Sequence, residues 1–237
     1  MKLATFVFTS LICHFTYASV ESNLQKYLDL AQQKQLDQKT TWQRLMYADQ
    51  KQNSEVTYAG YFYATDGKTN LNSELQADIE ALFREAPDNQ SIRCKFPARS
   101  RWLMQQLNID VQQLPKVNCV EFNDWINQIK PHKATLIYAT DFMGNPSSMF
   151  GHTLLRLDPK DQKQLNLVSY AVNYAATVKG DDNWSYAWKG LTGQYPGEYS
   201  IMPYYRKVKE YGDFESRDLW EYELNLTPEE TRFLVEH

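Results

Sequence analysis

The stretch NPSSMFGHTLLRLD, residues 145 to 158, sets two serines, a histidine and an arginine into otherwise apolar, strand-like sequence. Imidazole is the side chain that most readily takes and returns a proton near neutral pH, which makes His152 the candidate general base. On a strand, His152, Leu154 and Arg156 share one face and Thr153, Leu155 and Leu157 the other. Both faces are mostly apolar, so burial is expected, and a buried imidazole or guanidinium needs hydrogen-bond partners. Two readings of His152 stand side by side. One is a core histidine bonded to a backbone carbonyl. The other is a base at a strand start, next to a glycine-containing loop that lets a substrate approach. Asn173, in AVNYAA, is expected on the neighbouring strand, where its amide can accept from the far ring nitrogen and fix the tautomer of a catalytic histidine. The competing role for Asn173 is a bulge or turn residue that closes its strand.

Other reactive groups are sparse. Ser147 and Ser148 precede His152 without a G-x-S-x-G elbow or a strand-turn-helix context, which makes a serine hydrolase a weak reading. Outside the first eighteen residues the histidines are His132, His152 and His237, too few for a histidine-rich metal cluster. No Walker loop or dinucleotide fingerprint is present, so no cofactor or metal is expected. The three cysteines are Cys13, Cys94 and Cys119.

Those groups must be positioned by a chain of 237 residues with 43% apolar residues and a net charge of -4. That is enough to build a core, and no basic stripe exists for a nucleic-acid backbone. The first residues, MKLATFVFTSLICHFTYASVESN, combine Lys2, a short apolar run and small residues at Thr16 and Ala18. They predict a secretory signal peptide over 1–18, cleaved near Ala18. In an oxidising compartment the remaining cysteines, Cys94 and Cys119, are expected to pair, and a catalytic thiol at Cys94 is the minor alternative.

The mature chain changes texture near KPHK, residues 130 to 133. Before it, amphipathic helices are predicted from residue 22, through Trp42 to Met46, over NSELQADIEALFREAP with a cap at Asn72 or Ser73, and over PARSRWLMQQLNI and VEFNDWINQIK. VTYAGYFYAT (56–65) reads as strand-like or extended. After the junction, ATLIYATD, FGHTLLRLD and LNLVSYAVNYA predict three strands in an antiparallel meander. A long aromatic, glycine-containing loop and one or two further strands follow, with Ser148, Trp184 and Trp188 as candidate substrate-binding residues and 141–151 as a site wall. Thr227, Pro228 and Glu230 form a capping box for a last helix.

In CKFPARSRWL, NCVEFNDW, SSMFGHTLLRLD, VNYAA and the long segment from GLTGQYPGEYS to TPEE, the sequence resembles the exported bacterial proteins of DUF4105, also called the N-terminal periplasmic domain of the lipoprotein N-acyltransferase Lnb. The resemblance covers nearly all of the mature chain. It implies an α+β protein: a helical N-terminal module over 19–130, then an antiparallel-sheet, permuted papain-like (NlpC/P60- or LRAT-like) domain over 131–237. His152 matches the family's catalytic histidine. The family's presumed nucleophile is a cysteine in a segment of the type Asn-Cys-Ser-Tyr, beyond the last residue of this sequence, so the chain is expected to be a fragment lacking its thiol.

These features predict an exported, periplasmic envelope protein, a thiol acyltransferase or hydrolase inactive as this fragment. Its substrate would be a lipoprotein, a lipid or an envelope peptide or glycan, with peripheral attachment to a membrane. The alternative is a non-catalytic module that holds a lipid, glycan or peptide on its aromatic loop.

Overall fold

A computed structural model of the chain describes residues 23–143, 151–160, 166–176, 184–185, 188–189, 192, 194–214 and 216–237. The predicted leader, most of the 141–151 wall and Ser148 lie outside these residues. The described chain forms two compact units, residues 1–123 with 236–237, and 124–235. The division falls inside a helix, upstream of the texture change at 130–133.

The first unit is helical. It contains α1 (23–33), α2 (Thr40–Leu45), α3 (Leu71–Phe83), α4 (Ile92–Lys95), α5 (Pro97–Leu107) and the start of α6 (Val120–Ile129). Apolar residues at helical spacing put Leu71, Leu75, Ile79 and Leu82 of α3 inside, with Trp42, Leu45, Leu103 and Leu107. Trp42 donates its indole N–H to the Leu71 carbonyl at 3.0 Å and stacks on Trp102. The cap of α3 is Asn70, whose side chain accepts from the Ser73 N–H, so the helix starts at Leu71, ahead of the expected Asn72 or Ser73. Residues 56–65 do not form a strand: they run as coil around a 3-10 turn, Ala59–Tyr61. Tyr61 donates to the Leu45 carbonyl and packs edge-on to Phe96, so its ring is used for helix packing instead of cross-strand pairing.

Cys94 and Cys119 are joined in a disulfide with their Cα atoms 5.1 Å apart. The bridge links α4 to the residue just before α6. In the chain-entropy model a crosslink 25 residues apart contributes about 3 kcal/mol. Reduction is therefore expected to lower the urea midpoint of this unit, and an unchanged midpoint under dithiothreitol would contradict the assignment.

Two carboxylates of α3, Glu74 and Asp78, share one guanidinium, Arg99, and all three are buried. Arg99 lies over the rings of Tyr61 and Phe96, 3.8 and 4.1 Å from their centroids. Glu74 is well provided for, accepting the N–H groups of Tyr63 and Ala64 as well as Arg99. Asp78 meets Arg99 at 3.5 Å. Burial pushes the Asp78 carboxyl well above the usual aspartate range; Arg99 opposes that, and the negative Glu74 adds to it. The folded state thus holds this proton more tightly than the unfolded chain. The group's contribution to stability is greatest at acid pH and is lost as pH rises above about 4 towards the raised folded value. Asp78→Asn is expected to flatten that decline and to stabilise the unit at pH 7 in urea unfolding. A variant as pH-dependent as the parent would contradict it.

The second unit is built on a five-stranded antiparallel sheet in the order β4-β3-β2-β1-β5. Its strands are β1 (Lys133–Ala139), β2 (His152–Asp158), β3 (Tyr170–Ala176), β4 (Gly197–Pro203) and β5 (Leu219–Glu223). The meander β1-β2-β3 is present, with β3 starting at Tyr170 because 166–168 form a 3-10 turn. Between β4 and β5 the chain forms a short helix, α7 (Tyr204–Val208), continued by a π turn, Lys209–Phe214, where only loop and strand were expected.

One sheet face, through Ile137, Ala139, Leu154 and Ala171, packs against Tyr204 and Tyr211 of that helical segment. The other buries Ala134 and Leu157 against Ile129 of α6, with Leu224, Leu226 and Val235 nearby. The last helix, α8 (Pro228–Glu236), opens with the expected capping box. Glu230 N–H donates to Thr227 Oγ1 and the Thr227 N–H donates to Glu230 Oε2. No helix of the described residues is long and apolar enough to cross a membrane.

Candidate active site around His152

His152 opens β2 and lies directly opposite Ala139, the last residue of β1. Ala139 is small and fully buried. Gly151, just before it, has φ +83°, and a Cβ there would stand 2.7 Å from the Tyr138 hydroxyl and 2.9 Å from the Ala139 carbonyl oxygen. Glycine is therefore required both by backbone conformation and by space.

Asn173 pairs with Leu154 on β2 and with Ser200 on β4. It is thus the diagonal neighbour of His152 on the same sheet face, within reach of a long side chain. The contact is made: His152 Nε2 and Asn173 Oδ1 are 2.5 Å apart, with Asn173 buried and His152 half-buried. An amide oxygen only accepts, so Nε2 carries a proton in this pair, and Nδ1 is the ring nitrogen left to give or take one. Ser200 Oγ lies 3.5 Å from Asn173 Nδ2, which suits the amide nitrogen pointing away from the imidazole.

Two residues not singled out from the sequence complete the surroundings. The Tyr211 ring, on the π turn, stands 6.3 Å from the imidazole centroid to centroid. The buried Arg217 lies over the same Tyr211 ring at 4.7 Å. It donates from Nε to the Thr140 carbonyl at 2.5 Å and from its terminal nitrogen to the Ala139 carbonyl at 3.1 Å. It thereby fixes the end of β1 that faces His152. Tyr211 had no periodic signal, because a π turn matches no helical or strand repeat, and Arg217 lies in irregular chain beyond that turn.

Arg156, on the same face as His152, has the partners its burial demands. It donates from Nε to Asp158 at 2.9 Å and from Nη1 to Glu221 at 2.6 Å. Asp158 also accepts from Thr135 and Ser169. Burial works against the charge on Arg156, and the hydrogen bonds and charges of Glu221 and Asp158 outweigh it, holding the guanidinium more firmly protonated.

Trp184 and Trp188 are 86% and 66% exposed, and neither is among the described partners of His152. Cys94 and Cys119 are held in their disulfide, in the other unit, so neither offers a thiolate. What the site can do is take a proton at a fixed ring nitrogen beside a glycine-framed strand start.

Residues 121–237 match the family model described as Lnb N-terminal periplasmic domain. Residues 34–106, within the helical unit, match a model described as a domain of unknown function, DUF7843. No curated protein and no solved structure matches the chain.

Proposed function

We propose that this chain, matching the Lnb N-terminal periplasmic domain over residues 121–237, comes from an exported envelope protein whose second unit is a thiol acyltransferase or hydrolase domain of permuted papain-like design. A match to a domain described as periplasmic supports export. The observation that carries the chemistry is the Nε2 to Oδ1 contact of His152 and Asn173.

In this reading Asn173 is the positioning residue and His152 the base. The Nδ1 lone pair takes the proton of a cysteine thiol, and the thiolate attacks an acyl carbonyl to form a tetrahedral intermediate. The imidazolium then returns its proton to the departing amine or alkoxide, leaving a thioester. An acceptor amine or water, deprotonated by the same imidazole, attacks that thioester and restores the thiol. In this reading the nucleophile is a cysteine other than Cys94 and Cys119, which are joined to each other in the disulfide. The acyl donor and acceptor are drawn from lipids, lipoproteins or envelope peptides.

The test is p-nitrophenyl octanoate turnover by the full gene product, with the thioester followed by intact mass. Turnover abolished by iodoacetamide and by His152→Ala supports the proposal; turnover indifferent to both sinks it. A second reading is favoured by the exposure of Trp184 and Trp188: a binding module for a lipid, glycan or peptide, in which the tryptophans stack on the ligand. It predicts that Trp184→Ala with Trp188→Ala abolishes ligand capture while His152→Ala leaves it intact.

A further inference from the structure

The sheet face turned away from His152 is buried at one end, where Ala134 and Leu157 pack on Ile129 of α6. At its other end one row of residues crosses all five strands: Trp220, Tyr138, Thr153, Tyr174 and Tyr199. Trp220 pairs with Tyr138, Tyr138 with Thr153, and Tyr174 with Tyr199. The pairing of Leu154 with Asn173 brings Thr153 and Tyr174 side by side. Trp220, Tyr174 and Tyr199 are 56%, 54% and 63% exposed. The solvent side of an antiparallel sheet ordinarily carries polar residues, whereas four of these five positions are aromatic and none is charged. The next row continues the pattern with the exposed Tyr222, Leu136 and Ile201.

Two glycines shape this surface. Gly151 and Gly197 are the diagonal neighbours of Tyr138 and Tyr174. A Cβ at Gly151 would stand 2.7 Å from the Tyr138 hydroxyl, and one at Gly197 would overlap the Tyr174 ring. Each tyrosine therefore leans along the sheet across a glycine instead of standing out from it. The two lie two strands apart, a spacing of roughly 10 Å. That is close to the repeat of a β-1,4-linked disaccharide, so successive repeats of one sugar chain would each meet a tyrosine. The apolar face of a sugar rests on an aromatic ring, and its hydroxyls find the tyrosine and Thr153 hydroxyls and water. A second copy of this chain fits less well: two rows across five strands offer on the order of 350 Å² of face, against the ~800 Å² per partner of a stable protein interface. An anionic membrane surface recruits basic residues, and this row has none, on a chain with a net charge of -4. We propose that this face binds an uncharged β-1,4-linked glycan lying across the strands along the aromatic row. It is a site separate from His152, on the opposite side of the sheet.

The test is calorimetric titration of the full chain with chitohexaose. Tyr174→Ala with Trp220→Ala is expected to weaken binding about tenfold or more, as the loss of two stacking contacts. Tyr174→Phe keeps the ring and is expected to keep the affinity. Tyr58→Ala, at an exposed site in the other unit, and Trp184→Ala with Trp188→Ala are expected to leave binding unchanged, with urea unfolding showing that all variants fold. His152→Ala is also expected to leave it unchanged, whether or not acyl transfer is found. A parent that does not bind chitohexaose, binding indifferent to Tyr174 and Trp220, or an equal loss in the Trp184 and Trp188 pair overturns the proposal. Capture by phosphatidylcholine vesicles, or dimerisation seen by light scattering, that depends on Tyr174 and Trp220 without chitohexaose binding overturns the glycan assignment.

Discussion

His152→Ala, introduced into the full gene product, is expected to lower kcat for acyl transfer or hydrolysis by about 10²–10⁴-fold, the usual contribution of a positioned acid-base group. The loss falls on kcat because the imidazole acts on the proton that moves in the transition state, while the acyl chain is bound elsewhere. Asn173→Ala is expected to give a smaller loss of the same kind, with KM little changed. It leaves the base in place and removes only the acceptor that holds its proton on Nε2. A purely structural asparagine would show up differently, as lost stability with kcat preserved per folded molecule. Because the two residues act as one unit, the double variant should be scarcely worse than His152→Ala alone.

Arg156→Ala should be the most destabilising single change in the second unit, costing about 3–5 kcal/mol. The guanidinium bridges Asp158 and Glu221, and its removal leaves the buried Asp158 carboxylate, among the described residues, with the Thr135 and Ser169 hydroxyls as its side-chain partners. Glu221 is half exposed and recovers water. The loss therefore comes from Asp158, and Arg156→Ala combined with Asp158→Asn should cost less than Arg156→Ala alone. Urea unfolding of the three variants checks this. Additive costs would show that the pair is not coupled.

Much of the site's frame could be read from the chain. The alternation in FGHTLLRLD placed His152 and Arg156 on one face, and the short connections placed Asn173 on the next strand, because a period of two leaves little freedom once one face must be buried. The pairing of Cys94 with Cys119 followed from there being two cysteines outside residues 1–18. The capping box at Thr227 was legible because its partners are three residues apart. What escaped was tertiary. Tyr211 lies some sixty residues from His152 and meets it from a π turn, and Arg217, beyond that turn, packs on the Tyr211 ring. The aromatic run at 56–65 reads as a strand, yet its rings are used against Arg99 and Phe96, and the helix cap moved to Asn70 because its side chain finds the Ser73 N–H.

The account turns on which nitrogen of His152 carries the proton, and nitrogen-15 correlation spectra of the imidazole measure that directly. The contact with Asn173 predicts that, of the two neutral tautomers, the one protonated at Nε2 and bare at Nδ1 prevails, with that preference lost in Asn173→Ala. A ring protonated at Nδ1, with Nε2 accepting from the asparagine amide, would make His152 a satisfied core histidine and contradict its role as a base.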